Sequence, residues 1–224
     1  MLRIFIGYDA RQPVSFNVLQ QSIISRSSKP VAITPLVIEQ LPIKRVGLTP
    51  FTFSRFLVPY LCDFQGWALF LDIDMLVRDD IASLFELADD RYAAMVSKNE
   101  KKFEWASAIL FNCEKNTILK PDYIERAEKL HHIAWLKEEE IGDLPREWNH
   151  LVGYDEPLND AKLVHYTQGI PCFPETITSE YVKEWHEEHK KTNSSLPWEV
   201  LMGNSIHATI KDGKRVPKFV AGEK

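Results

Sequence analysis

Cysteine is scarce in this chain. The three present, Cys62, Cys113 and Cys172, lie far apart, and none sits in a C-x-x-C pair. That excludes a disulfide framework and points to free thiols in a reducing compartment. Long apolar runs are missing as well. No segment reaches the roughly eighteen apolar residues needed to span a membrane. The opening MLRIFIGYDA has an apolar run too short for a secretory leader, and Arg3 interrupts it. The expectation is a cytoplasmic protein without a transmembrane segment. No cluster of positive charge stands out either. The 27 Lys and Arg face 32 Asp and Glu, a net charge of −5, which argues against a nucleic-acid partner. An anionic ligand would need local positive charge, from a metal ion and a few Arg or Lys. There is no internal repeat, low-complexity tract or clear linker.

What is present suits a globular enzyme. With 224 residues, 45% hydrophobic and 26% charged, the chain can build one sizeable α/β domain. Leu2 to Ile6 reads as a strand ending at Gly7-Tyr8-Asp9. Pro13 can open a helix, with Val14, Val18, Leu19, Ile23 and Ile24 at helical spacing. Val31 to Ile38 reads as a second strand, placed at an edge by Pro35. Residues 41–50 read as a loop and Phe51 to Cys62 as a helix. Strands follow at 67–71, 92–96, 108–111 and 163–166. Helices are expected at Pro121–His131 and Ser179–Lys191, and 141–160 should be irregular. Strands alternating with helices imply a layered α/β sheet, with ligands at the carboxyl ends of its strands. The domain is expected over 1–192, with 193–224 a polar tail or extension.

One segment carries most of the chemistry. Ala68-Leu69-Phe70-Leu71-Asp72-Ile73-Asp74-Met75-Leu76-Val77 places two carboxylates in an apolar run that reads as a buried strand. A buried Asp needs a partner, and two of them need a cation. On an ideal strand alternate residues share a face, so Asp72 and Asp74 would meet one hard divalent ion, with phosphate completing its shell. Such a ligand set favours a phosphate-bearing substrate, a sugar nucleotide first. The bland alternative is a polar strand end followed by a capped loop. His165 also closes an apolar strand, and imidazole is a reasonable third ligand for a manganese-like ion. A structural His at a strand end is the alternative.

The order and spacing of IFIGYD, TFSRFLVPYL, ALFLDIDMLV, SAILFN, LPREWNHL and HYTQGIPCF resemble GT-A-type glycosyltransferases, most of all glycosyltransferase family 8. The resemblance covers roughly residues 1–173. It implies a GT-A-like (Rossmann-like) α/β/α fold with a mixed sheet in a single domain. It also implies that Asp72, Asp74 and His165 hold Mn2+ (or Mg2+) against the diphosphate of a UDP-linked donor. A hexose would pass to an acceptor hydroxyl with retention of configuration. By the same resemblance Tyr8 and Asp9 hold the uridine, although Asp9 could instead cap the turn before Pro13. Arg55 is directed to the donor, or pairs internally with Asp72. Ser107 lines the donor-sugar pocket. Trp148 and Asn149 form a sugar or acceptor wall, unless Trp148 anchors an irregular loop. The loop after His165 departs from the family's His-x-x-Gly-Lys-Pro-Trp. Its Gly169 comes one residue late, and the phosphate-binding Lys is absent.

No residue stands out as base or nucleophile. Glu138, Glu139, Glu140 and Asp143 read as a solvated charge run, and His131, His132, His186 and His189 as surface residues. Two further readings remain. One is a haloacid dehalogenase-like phosphatase, in which the first Asp of Asp-x-Asp attacks phosphorus. The other is a sugar-nucleotide-binding protein without catalysis. The sugar, the acceptor and the oligomeric state are not encoded in any of these motifs.

Overall fold

The first apolar run folds as strand β1, Leu2–Gly7, and Pro13 opens helix α1, Pro13–Arg26, from the position where its missing N–H is harmless. Then follow β2 (Val31–Leu36), α2 (Val58–Leu61), β3 (Trp67–Leu71), β4 (Met75–Val77), α3 (Ile81–Phe85), β5 (Ala94–Val96), β6 (Ala108–Asn112), α4 (Pro121–Arg126), β7 (Ile141–Asp143), β8 (His150–Leu151), β9 (Leu163–His165) and α5 (Val182–Thr192). This computed structural model describes residues 1–192 and two further strands, β10 (Ala208–Lys211) and β11 (Lys214–Pro217), which pair antiparallel. The rest of the expected tail lies outside the described residues. No helix among the described residues is long and apolar enough to cross a membrane.

Six strands form one mixed sheet in the order β2-β1-β3-β6-β5-β7. β1 runs parallel to β2 and β3, whereas β6 is antiparallel to both β3 and β5. Ala68 to Leu71 and the whole of β6 are buried. Alternate residues of a strand face opposite sides, so burial of all of them means that both faces of the sheet are covered. β2 is the edge strand that Pro35 requires, since proline cannot donate to a ladder on both sides. A smaller sheet, β4-β9-β8, packs behind α1 and α5 around Val18, Leu76, Val164, Tyr166 and Trp185. Buried Glu188 of α5 pairs with Arg26 of α1 at 2.9 Å and Lys191 at 2.8 Å, tying the two helices together.

Several elements differ from the sequence expectation. The run 68–77 is not one strand. β3 stops at Leu71, a turn holds Asp72 to Asp74, and β4 crosses into the second sheet. Residues 51–62 are a 3-10 turn at Ser54–Leu57 followed by the single α-turn α2, stopped where Asp63 and Phe64 turn left-handed. The helix expected to reach His131 ends at Arg126, because Ala127 is extended and Lys129 is left-handed. In α1, Ile24 points outward and Ser22 inward, where its hydroxyl donates to Leu19 O and accepts from Val77 N. The segment 141–160 contains β7 and β8, strands too short to show periodicity and formed by pairing with β5 and β9.

Gly7 ends β1 directly against Phe51. A Cβ there would lie 2.5 Å from the Phe51 ring. Gly7→Ala should therefore lower stability by about 1–3 kcal/mol through overpacking. In urea unfolding the midpoint should fall while the denaturant slope stays unchanged.

Candidate active site

The site is assembled by strand pairing. The backbone N–H of Asp72, just past β3, donates to Ser107 O at 2.9 Å, which fixes the start of the turn. Antiparallel pairing of β4 with β9 sets Met75 opposite His165, and Tyr166 N donates to Asp74 O at 3.0 Å. Asp72, Asp74 and His165 are thus brought together, each offering a ligand atom within 4.8 Å of the others. The carboxylates converge because the chain turns between two sheets, not because they alternate along one strand.

Arg55 reaches the group from the 3-10 turn Ser54–Leu57. Its Nη1 donates to Asp72 Oδ2 at 3.2 Å and to Ala106 O at 2.7 Å, and its Nε donates to Thr52 O at 3.2 Å. Nη2 lies 3.0 Å from Asp72 Oδ1 as an ion pair without hydrogen-bond alignment. The guanidinium sits over Phe70, 5.0 Å from the ring centre. Its charge is held between aromatic surface on one side and carboxylate on the other. The internal pair with Asp72 is therefore formed.

Three buried atoms in the group have no hydrogen-bonding partner: Asp72 Oδ1, Asp74 Oδ1 and His165 Nδ1. His165 Nε2 is 3.3 Å from Asp74 Oδ1, and Nδ1 is 3.9 Å from Glu104 Oε2. Burial pushes the Asp72 carboxyl up to about 7, with Arg55 opposing the rise and Asp74 adding to it. For His165 burial favours the neutral ring, but the carboxylates of Asp74, Asp72 and Glu104 outweigh it and raise the pKa. Burial drives the Asp72 shift and the surrounding carboxylates drive that of His165. Carboxylate oxygens and one imidazole nitrogen, buried and without hydrogen-bonding partners, are a donor set that fits a divalent ion such as manganese or magnesium.

A cavity of about 150 Å³ opens over the cluster, lined among others by Thr49, Phe51, Thr52, Phe103, Glu104, His131 and Thr167. That volume holds only part of a nucleotide sugar, so the rest would lie along the open cleft. Tyr8 and Asp9 do not line it. They follow β1, beside the end of β3, with Tyr8 edge-on to Phe16 and both Asp9 oxygens held by Arg11. The Arg11 guanidinium keeps the Asp9 carboxyl below the usual carboxylate range.

Ser107 and Asn149 meet each other. The Ser107 hydroxyl donates to Glu104 O at 2.6 Å and accepts from Asn149 Nδ2 at 3.0 Å, so together they brace the 104–107 turn. Asn149 Oδ1 stays buried and unpaired. Trp148 is 1% exposed and belongs to the main core. Its indole offers no exposed face, which fits the alternative reading of Trp148 as a loop anchor. Glu138 pairs with Lys98 and Lys102 in solvent, as a charge run should. Cys62 and Cys113 are buried free thiols and Cys172 an exposed one. Glu104, Phe103 and His131 were missed. Glu104 sits in a lysine-rich stretch that reads as surface, and nothing local marks His131 as facing a cleft.

Removing Arg55 should expose the charge problem. With a carboxyl pKa raised on folding, the folded state binds the extra proton, so stability falls as pH rises from about 4 towards 7. Arg55→Met takes away the group that opposes that rise. In metal-free protein its loss of stability should be about 3–5 kcal/mol at pH 8, the cost of a buried unpaired charge. At pH 5.5, where Asp72 can be neutral, the loss should be clearly smaller. Urea unfolding at the two pH values checks this.

No protein-family model matches the chain. Protein CDI of Arabidopsis thaliana is 37% identical to it over 227 aligned positions, spanning 85% of this chain and 87% of that protein. Among solved structures, the glycosyltransferase GlyE of Streptococcus pneumoniae TIGR4 superposes with a TM-score of 0.65 at 20% identity, over 91% of this chain and 63% of GlyE. The galactosyltransferase LgtC, solved with donor and acceptor sugar analogues, gives 0.61 at 13% identity, over 88% of this chain and 98% of LgtC. The bifunctional glycosyltransferase WbbM gives 0.62 at 14% identity, over 90% of this chain and 51% of WbbM. The chain thus spans about half of WbbM and under two thirds of GlyE. Identity at this level across most of both sequences establishes kinship, and the superpositions establish architecture: the chain belongs to the family of Protein CDI and has the GT-A glycosyltransferase fold.

Proposed function

We propose that this protein is a metal-dependent glycosyltransferase. It transfers a hexose from a nucleoside-diphosphate donor, UDP-linked, to an acceptor hydroxyl, with retention of configuration as in glycosyltransferase family 8. The observation that carries the reading is the meeting of Asp72, Asp74 and His165, with buried ligand atoms that lack hydrogen-bonding partners, at the carboxyl end of β3 in a GT-A fold. The likeness to LgtC, solved with donor and acceptor sugar analogues, supports a sugar-nucleotide donor. A phosphatase reading finds no support in the geometry. Asp72, its required nucleophile, is 7% exposed and gripped by Arg55.

The residues divide the work by position. Asp72, Asp74 and His165 would hold manganese or magnesium. When bound, the ion supplies positive charge against the leaving diphosphate. Arg55 orients Asp72 and offsets part of its charge. Glu104, whose side chain is partly exposed at the cavity, limits how His165 turns. Tyr8 and Asp9, past the end of β1, are assigned to the uridine, with Arg11 swinging off Asp9 as the nucleoside enters. Ser107 and Asn149 support the donor pocket from behind, with Asn149 Oδ1 left to accept one hydrogen bond. Retention by a front-face route asks for no enzyme nucleophile, and among the described residues Glu104 is the one carboxylate besides Asp72 and Asp74 that lines the cavity.

Calorimetric titration with UDP should show tight binding in manganese and a loss of at least about 100-fold in excess chelator. Saturating manganese at about 100 times its Kd should stabilise the fold by about 2.7 kcal/mol, read as a higher melting temperature. Asp74→Asn should abolish both the manganese-induced stabilisation and transfer from UDP-hexoses, with an unchanged circular dichroism spectrum. Near-normal turnover in that variant, with metal dependence intact, would refute the assignment.

A further inference from the structure

Two residues with left-handed backbone, Lys129 and Ile133, each at φ 54°, bracket the single 3-10 turn Leu130–His132. A β-branched residue rarely takes this conformation, and it persists only where its surroundings impose it. The strained turn delivers His131 into the cleft. Its ring stacks on Phe103 with centroids 4.7 Å apart and planes 12° apart, and meets Phe53 and Phe56 edge-on. It lines the same cavity as Arg55, Asp72, Asp74 and His165. His131 Nε2 is buried there and has no hydrogen-bonding partner.

A buried polar atom without a partner is uncommon, and a ligand cleft is where a bound molecule can satisfy it. The imidazole is also uncharged at neutral pH. Burial first, then the neighbouring Arg55 guanidinium, pushes its pKa down to about 4. A neutral ring adds no charge against phosphate, but it exchanges hydrogen bonds readily with hydroxyls. Phe103, 57% exposed, extends an aromatic face beside it. A neutral hydrogen-bonding atom next to an aromatic face matches a sugar, whose ring presents C–H groups on one side and hydroxyls at its rim. The phosphates are left to the metal cluster.

We propose that His131 hydrogen-bonds a hydroxyl of the transferred hexose, with Phe103 against the sugar's apolar face, an inference that rests on the nucleotide-sugar reading above. His131→Phe keeps the aromatic stack and removes both ring nitrogens, whereas His131→Gln keeps a polar atom near the place of Nε2. The full chain with manganese is titrated calorimetrically with UDP, UDP-glucose and UDP-galactose. The expected result for His131→Phe is an affinity about tenfold lower for whichever sugar nucleotide the wild type prefers. Its affinity for UDP should change by less than about twofold, and His131→Gln should fall between. His131→Phe should melt no lower than the wild type, since it removes an unpaired buried atom. Equal losses for UDP and UDP-hexose, an unchanged affinity for the hexose donors, or a markedly lower melting temperature would each overturn the inference. So would a wild type that binds UDP but neither sugar nucleotide. A wild type that binds none of the three overturns the nucleotide-sugar reading itself, and this inference with it.

Discussion

A buried carboxylate beside a half-buried one calls for positive charge, and the site is organised around that need. Asp72 and Asp74 sit in the turn between two sheets, where water is mostly excluded and like charges repel strongly. The protein answers with Arg55 on one side and His165 on the other. Neither neutralises the pair fully. Asp72 drifts towards protonation, His165 towards charge, and three ligand atoms remain without hydrogen-bonding partners. The deficit is what fits the site to a cation under the proposed function. A site satisfied by its own side chains would have no use for one.

The same requirement explains much of the framework. Arg55 can be buried because aromatic rings flank its guanidinium and the backbone carbonyls of Thr52 and Ala106 accept from its Nε and Nη1. Those carbonyls are free to accept because both residues lie in irregular or 3-10 backbone rather than in a ladder. A regular helix over 51–62 would have consumed such groups internally. The irregularity there serves the charge.

The central strands, the Asp-x-Asp pair and the late His stood out in the sequence, because each combines a bulky apolar run with a polar residue that has no business in a core; the turn between two sheets that carries the pair did not, since the run reads as one strand. α1 was legible through its proline and its spacing, although Ser22 took an inward position that hydropathy assigned to Ile24. Elements made only by pairing were not. β7 and β8 have three and two residues, and neither carries a pattern longer than itself. Trp148 was ambiguous between sugar platform and core anchor, and only its burial decides for the anchor. His131 read as surface because local sequence says nothing about a turn held between two left-handed residues. Glu104 failed to register for a related reason, since a charged residue among lysines looks solvated until the chain folds it over His165.

The β4–β9 pairing carries a temporal consequence. Met75 and His165 are neighbours in the ladder but lie far apart along the chain. During synthesis the acidic turn emerges long before its imidazole, and β3 waits for β6 before one flank is covered. Until then Asp72 and Asp74 lie on a half-built sheet whose apolar strands are unpaired. Their mutual repulsion and hydration oppose premature collapse of that edge onto another chain, as charges on exposed strands generally do. The Asp-Asp-His cluster is thus complete only once β9 has paired with β4, so under the proposed function a metal ion would be held only by the finished fold.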